Sequence, residues 1–394
     1  MEDAMEKYDV QNGAFGLVMN VKTGEILAMA TLGSYDPNNY LDIGDPSVQQ
    51  ELDQLKQVYT TLPEGTEAYD QALNTYQEAL VSARLAQWRN RVISDGYEPG
   101  STFKTITMAA AIEEGTTTLN DSFYCSGSEM FAERGNTPLH CWQHAGHGSE
   151  TTFQALQNSC NIAFAHIGLK LGGEKFYEYA KAFGLLEATG VGMSGESDGI
   201  FFPKSTITDP NANGYGAAVI AGSFGQTFKV TPIQLVRAIS AVVNGGYVMQ
   251  PYIVSEVLDG DGNVVQKNEP TVIRQAISEE TSEIMRQMIL SVVTEGTAKN
   301  AQVAGYSIGG KRVLPRKLAY MMRTAGKWMI KLCHLWGLRP WMIRSILYWW
   351  LWTPPPTSPA IMSPAASWPR PRCGAFWRIS FLTWAWPGIT PAWI

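Results

Sequence analysis

The chain has 394 residues, 45% of them hydrophobic, and a formal net charge of −6. That length suffices for a large core or two domains, and the acidic balance, with no basic stripe, gives no sign of nucleic-acid binding. The mean hides two unlike parts. All 36 Asp and Glu precede Arg312, whereas 11 of the 30 Lys and Arg and 11 of the 13 Trp follow Lys311. Residues 1–311 therefore hold 19 basic against 36 acidic side chains, a formal balance of −17, and the last 83 residues hold no acid at all. At ordinary composition roughly ten acids would be expected there.

The opening MEDAMEKYDVQNG is polar and acidic, unlike a signal peptide, and no run reaches the ~18 apolar residues of a membrane helix. The chain as given is thus expected to be neither exported nor anchored by its own sequence. Five Cys are an odd number and too few for a disulfide scaffold.

In chain order, AFGLVMNVKTGEILAMA (Ala14–Ala30) predicts a β-hairpin turning at Lys22-Thr23-Gly24, and Tyr35–Tyr40 a loop. Residues from about Ser47 to Trp88 have helical spacing broken by Leu62–Gly65, which predicts a helical insertion. Pro99-Gly100 breaks the chain, and Ser101 to Glu114 predicts a helix ended by Gly115. Residues 116–150 read as loops and short strands. Helical regions follow at Phe153–Gly172, Phe176–Phe183, Val230–Gly246 and Glu280–Val293, and a strand at Ala304–Lys311. There are no internal repeats. The expected class is a mixed α/β (α+β) domain, with hairpin and late strand in one antiparallel sheet beside a helical lobe.

Three short patterns carry chemistry. In Ser101-Thr-Phe-Lys104, hydroxyl and amine share one helical face. The helix start offers free N–H groups to an oxyanion, and a lysine whose pKa is lowered by burial or a second cation can serve as base. Taken alone the pair reads as well as a helix cap and a solvated lysine. Ser159-Cys160-Asn161 can present a hydroxyl and an amide from a turn between helices, or merely cap one. Gly309-Gly310-Lys311, ending a strand, can supply a positive charge for a substrate carboxylate and depress the pKa of Lys104.

Together, SxxK, SxN about 55 residues on and a lysine-ending strand about 150 residues later resemble the serine acyl-transferase signature of penicillin-binding proteins and serine β-lactamases. Trp88–Lys104 (WRNRVISDGYEPGSTFK), Phe123–Gly127, Leu139–Trp142, Gly146–Ser149, Leu156–Asn161 and Phe224–Leu235 (FGQTFKVTPIQL) narrow this. They look like the transpeptidase domain of class B penicillin-binding proteins of the Gram-positive division and sporulation type, over residues 12–311. The resemblance implies the penicillin-binding-protein/serine β-lactamase-like fold and a peptidoglycan D,D-transpeptidase. Its catalytic residues would be Ser101 as nucleophile, Lys104 as base, Ser159 as proton relay, Asn161 as hydrogen-bonding partner of substrate or Lys104, and Lys311 holding the terminal carboxylate. The oxyanion hole would use the N–H of Ser101 and one near Leu314. The implied partners are D-Ala-D-Ala stem peptides, β-lactams and a glycosyltransferase of the wall machinery. No cofactor or metal is implied, and the implied location is the outer face of the cytoplasmic membrane, with anchor and stalk outside this chain. A penicillin-sensing receptor domain and a serine β-lactamase are the alternatives, against which the 47–88 insertion and the WRNR segment speak.

The third motif of the family is Lys-Thr-Gly. Lys22-Thr23-Gly24 precedes Ser101 and is read as the hairpin turn, with a structural role. Lys311 is followed by Arg312-Val313 instead. The genetic code explains the change. Read one base earlier, Lys311–Leu314 permits Thr-Gly-Thr/Ser. Because Trp and Met have single codons, Trp341-Met342-Ile343 must give Asp-Asp, Tyr348-Trp349-Trp350 Leu-Val, and Trp352-Thr353 Asp. Trp341–Pro354 then permits DDPQYIVLVALDT, similar to the penultimate strand of the family. Residues 1–311 are accordingly read as an incomplete transpeptidase domain and 312–394 as an out-of-frame tail, expected to be disordered, with the last strands missing or replaced and activity impaired. A membrane-surface tail is the rival reading.

Cys125, His140, Cys141, His144 and His147 do not have zinc-finger spacing, so no metal is expected. A Cys125–Cys141 disulfide remains open. Cys160 and His166 read as packed side chains.

Overall fold

A computed structural model describes residue 1 and residues 14–33, 35–313, 332–338 and 346–352; the side chains of 313 and of the last two segments are not described. The hairpin forms as expected. Strands β1 (Ala14–Asn20) and β2 (Ile26–Thr31) pair antiparallel, Leu17 opposite Met29. Asn20 closes the turn, its side chain accepting from Lys22 N at 3.1 Å and its carbonyl from Gly24 N at 2.9 Å. Lys22-Thr23-Gly24 is thus a turn, packed on the backbone of Tyr252.

The insertion is two helices, α1 (Pro46–Thr60) and α2 (Glu67–Trp88), capped by Asp45 and Thr66. They pack on one another, with the Tyr59 ring 5.3 Å from Tyr76, and Trp88 Nε1 donates to Tyr40 O at 2.7 Å at the base. The helical lobe follows: α3 (Arg91–Ser94), α4 (Lys104–Glu113), strands β3 (Ser122–Cys125), β4 (Ser128–Glu129), β5 (Leu139–His140) and β6 (Gly148–Thr151), then α5 (Thr152–Gln157), α6 (Asn161–Leu171), α7 (Gly173–Ala182), α8 (Lys204–Thr208) and α9 (Tyr215–Ser223). β3 pairs with β6 and β4 with β5. Helix α10 (Pro232–Val243) starts at Thr231, whose side chain and that of Gln234 form a capping box with proline at N1. All twelve of its residues are buried. It packs against β1, α4 and α11 (Glu279–Thr294). Between them lie β7 (Tyr247–Met249), β8 (Glu256–Leu258), β9 (Val264–Lys267) and β10 (Val272–Gln275), in two separate two-stranded pairs.

The late strand is shorter than expected, β11 (Ser307–Gly309), with β12 (Arg312–Val313) beyond it. Hairpin and late strand do share one antiparallel sheet, but not as neighbours. The order is β11-β13-β14-β1-β2, with β13 (Leu332–Leu338) and β14 (Ile346–Trp352) between. Both lie in the stretch that composition marks as disordered, so at these two segments the structure departs from that expectation. The physical reason is that a ladder is made by backbone groups, which any non-proline residue supplies, and ILYWWLW is rich in β-formers. β14 pairs with β1 along all seven residues, Tyr348 opposite Val18.

Candidate active site

The chain reaches the site through Pro99-Gly100. Gly100 N donates to Gly225 O at 2.8 Å. A Cβ on Gly225, at φ +78°, would lie 2.2 Å from Gly100 O, so two backbones meet where no side chain fits. Ser101 sits in a 3-10 turn (Gly100–Thr102), and the α-helix proper begins at Lys104, three residues later than the sequence pattern suggests. Phe103 anchors the turn, its ring 4.8 Å from Phe228 in edge contact.

Lys104 points inward and is fully buried. Its Nζ donates to Ser159 O at 2.8 Å and Asn161 Oδ1 at 2.7 Å, and lies 3.3 Å from Ser159 Oγ. The rings of Phe164 and Phe224 flank it, at 5.3 and 6.0 Å from Nζ. Burial lowers its pKa to about 8, opposed by the nearby thiols and Glu150. Desolvation is the largest cause of the lowering. A neutral amine has two hydrogens and one lone pair. The carbonyls of Ser159 and Asn161 can only accept, so they take both hydrogens and leave the lone pair for a hydroxyl.

Ser159 lies in the turn between α5 and α6 and holds the left-handed φ of +55°, a conformation uncommon outside glycine. The turn is tied down on several sides. Glu150 Oε1 accepts from Asn158 Nδ2 at 2.7 Å, Trp142 Nε1 donates to Asn158 O at 2.9 Å, and Thr297 N donates to Gln157 O at 3.0 Å. Asn161 Nδ2 donates to His140 O at 3.2 Å.

Above Lys104 opens a cleft of about 480 Å³, continuous with solvent and lined by Ser101, Ser159 and Asn161 with Gly100, Trp142, Phe224, Gln226, Thr297 and Arg312. Four of the five residues singled out in the sequence thus converge. Lys311 is not among the described residues lining the cleft; it is buried, its Nζ donates to Leu156 O at 2.6 Å, and burial, with Lys104 and Arg312 nearby, pushes its pKa well down. Among the described lining residues the cation is Arg312. Leu314, expected near the oxyanion hole, lies outside the described residues. Sequence reasoning missed Thr297 and Glu150, which carry no motif of their own, and assigned no role to Trp142 and Gln226, which lie in the family-like stretches Leu139–Trp142 and Phe224–Leu235.

The cysteines also gather. Cys125 ends β3, Cys141 follows β5, His147 precedes β6 and Cys160 caps α6, and their ligating atoms all lie within 4.8 Å of one another. The three thiols are free, so no Cys125–Cys141 disulfide is present. His140 and His144 are exposed and outside this group. His166 Nε2 lies 2.9 Å from Glu129 Oε1, and its ring is tilted against that of Phe131 at 5.0 Å. The linear spacing on which no metal was expected carries no record of this grouping, which the fold makes from four separate positions.

Fold and cleft together define a serine–lysine site walled by an antiparallel sheet and a helical lobe. The penicillin binding protein transpeptidase domain family matches residues 14–311, and the chain belongs to it. It is 38% identical over 320 residues to stage V sporulation protein D of Bacillus subtilis, covering 81% of this chain and 42% of that protein. It is 30% identical to penicillin-binding protein PbpB of Mycolicibacterium smegmatis, covering 75% and 39%. The chain thus spans about two-fifths of the length of these curated relatives. Among solved structures, the D,D-transpeptidase domain of a peptidoglycan glycosyltransferase from Eggerthella lenta superposes with a TM-score of 0.65 at 22% identity, covering 89% of this chain and 75% of that one. Penicillin binding protein 3 of Mycobacterium tuberculosis, complexed with aztreonam, gives 0.64 at 23%, covering 88% and 67%. Among the described residues no helix is long and apolar enough to cross a membrane.

Proposed function

We propose that residues 1–311 form the transpeptidase domain of a peptidoglycan D,D-transpeptidase, working through a serine acyl-enzyme. The observation that carries this is the Lys104 amine, buried and hydrogen-bonded to both Ser159 and Asn161 beneath a cleft that Ser101 lines. Ser101 Oγ attacks the carbonyl of the penultimate D-Ala of a stem peptide while Lys104 takes its proton. The C–N bond breaks, the terminal D-Ala leaves as an amine protonated through Ser159, and the amine of a second stem peptide resolves the ester. Asn161 orients Lys104. The N–H of Ser101 contributes to the oxyanion hole. Among the described residues lining the cleft, Arg312 is the cation on the wall. β-Lactams acylate Ser101. A glycosyltransferase that polymerises the strands, and a site on the outer face of the membrane, belong to the same reading.

Among the described residues lining the cleft none carries a carboxylate to activate a hydrolytic water. This favours a long-lived acyl-enzyme over a β-lactamase. For the tail, we propose that residues 312–394 are read out of frame. In support, residues 346–352, whose one-base-earlier reading permits IVLVAL, form the segment that pairs with β1.

Incubation with a fluorescent penicillin, followed by intact mass and peptide mapping, tests the enzyme reading. A stable adduct on Ser101 is expected. Labelling elsewhere, or hydrolysis of the drug without an adduct, overturns it.

A further inference from the structure

We propose that Glu98 is a positioning residue for acylation: its carboxylate holds Thr227 in a left-handed turn and so fixes the Gly225–Phe228 segment against the turn that carries Ser101. Glu98 Oε1 accepts from Thr227 N at 3.1 Å, across 129 positions of chain. Thr227 has a φ of +71°, a region that a β-branched side chain enters only under strain. Among the described residues, Ser159 and Thr227 are the non-glycine positions with positive φ. Both stand at the cleft: Ser159 lines it, and Thr227 directly follows Gln226, which lines it. Strain of this kind persists where the surroundings over-determine the backbone, and it gathers at functional sites.

The left-handed residue lies between two grips on the nucleophile's turn. Before it, Gly225 O accepts from Gly100 N at 2.8 Å; after it, the Phe228 ring meets that of Phe103 at 4.8 Å. Gln226 lines the cleft, Thr227 is exposed, and Phe228 is buried at 2% exposure. The reversal at Thr227 therefore joins a cleft wall to a core anchor within three residues. Further along, Tyr97 and Val230 exchange backbone bonds, N to O, at 3.1 and 3.0 Å in an antiparallel bridge. Half-buried Glu98, three residues before Ser101, adds a side-chain tie between the same two stretches. A carboxylate that accepts from a backbone N–H makes a charge-assisted bond, stronger than the neutral kind. The Thr227 hydroxyl donates to Gln226 O instead, within the turn itself.

Without the tie, Thr227 relaxes toward negative φ, and Gly225 and Gln226 turn relative to Ser101. This consequence rests on the role of Ser101 proposed above; the tie itself does not.

Two measurements on the full chain separate the two. Hydrogen exchange is followed at the Thr227 amide. Protection is expected to fall by about tenfold or more in Glu98→Ala and to persist in Glu98→Gln, whose amide oxygen still accepts. Equal exchange in the parent and in Glu98→Ala overturns the tie. The rate of Ser101 labelling by a fluorescent penicillin is then compared. Glu98→Ala is expected to slow it by about tenfold or more, and Glu98→Gln to retain most of the parent rate. In the Thr227→Gly chain, where glycine adopts the turn freely, the same Glu98→Ala change is expected to cost less than about threefold. No loss in the parent background, or an equal loss in both, refutes the positioning role, because a carboxylate that served only folding would not sense residue 227. A Glu98→Ala chain that folds only alongside Thr227→Gly supports the tie; one that folds in neither background overturns it. A parent chain that takes up no penicillin refutes the transpeptidase reading, and the exchange measurement then decides the tie alone.

Discussion

Lys104 Nζ and Asn161 Oδ1 are 2.7 Å apart, although 57 positions separate them in the chain. The contact joins the first turn of α4 to the first residue of α6. It supplies an acceptor for one hydrogen of an amine that water does not reach.

Removing that acceptor should be costly. Asn161→Ala leaves Lys104 short of a hydrogen bond in the interior, worth about 1.5–3 kcal/mol. Acylation by a penicillin is expected to slow roughly 10- to 150-fold, and Lys104→Ala to abolish it. Stopped-flow labelling gives both rates. An Asn161→Ala rate within twofold of the parent rate would contradict the arrangement.

The base must be neutral to accept a proton. Burial lowers the Lys104 pKa to about 8. Below that value the amine is charged and inactive; above it the lone pair is free. The acylation rate should therefore rise with pH and level off above about 8, rather than near the ordinary lysine range about two units higher. A rate profile measured from pH 6 to 10 with a neutral β-lactam checks this. A flat profile would remove Lys104 from the base role.

Gly225→Ala forces a Cβ to within 2.2 Å of Gly100 O at a φ of +78°. The strain is of order 1–3 kcal/mol, and its relief moves the turn that carries Ser101. A lowered Tm is expected, with acylation slowed by about tenfold or more. Thermal melts and labelling of the same preparation check it. Unchanged values for both would mean that the Gly100–Gly225 contact does not position the nucleophile.

Replacing residues 312–394 by the one-base-earlier reading restores Thr-Gly after Lys311. Acylation is expected to rise by about 10²-fold or more, the scale of one oxyanion-type contact, with a higher Tm. If the restored chain labels no faster than the original, Arg312 and the following strands already serve the site. Sequencing the gene across codon 311 is the direct check on the frame itself.

Much of the site was legible because its first element is local. Ser101 and Lys104 are one turn apart, and helical geometry alone places them on one side. Ser159-Cys160-Asn161 was legible only by resemblance, since its left-handed serine leaves no mark in the residue pattern. The surroundings of Lys311 were not legible: its side chain is buried and donates to Leu156 O, while Arg312 is among the described residues lining the cleft. Direction at a strand end depends on sheet register, and the partner strand β13 comes from the stretch least readable in composition.

The sequence by itself determined the hairpin, the helical insertion, the serine–lysine pair and the break in chain character at Lys311. Each of these depends on neighbours along the chain: periodicity, turn residues, or the arithmetic of codons. Only the tertiary structure decided that Lys104 is dry, that Arg312 lines the cleft while Lys311 donates to Leu156 O, and that three cysteines and a histidine meet. Those properties arise from packing between segments tens of residues apart, where desolvation and approach distance are set by the fold, and linear spacing carries no record of either.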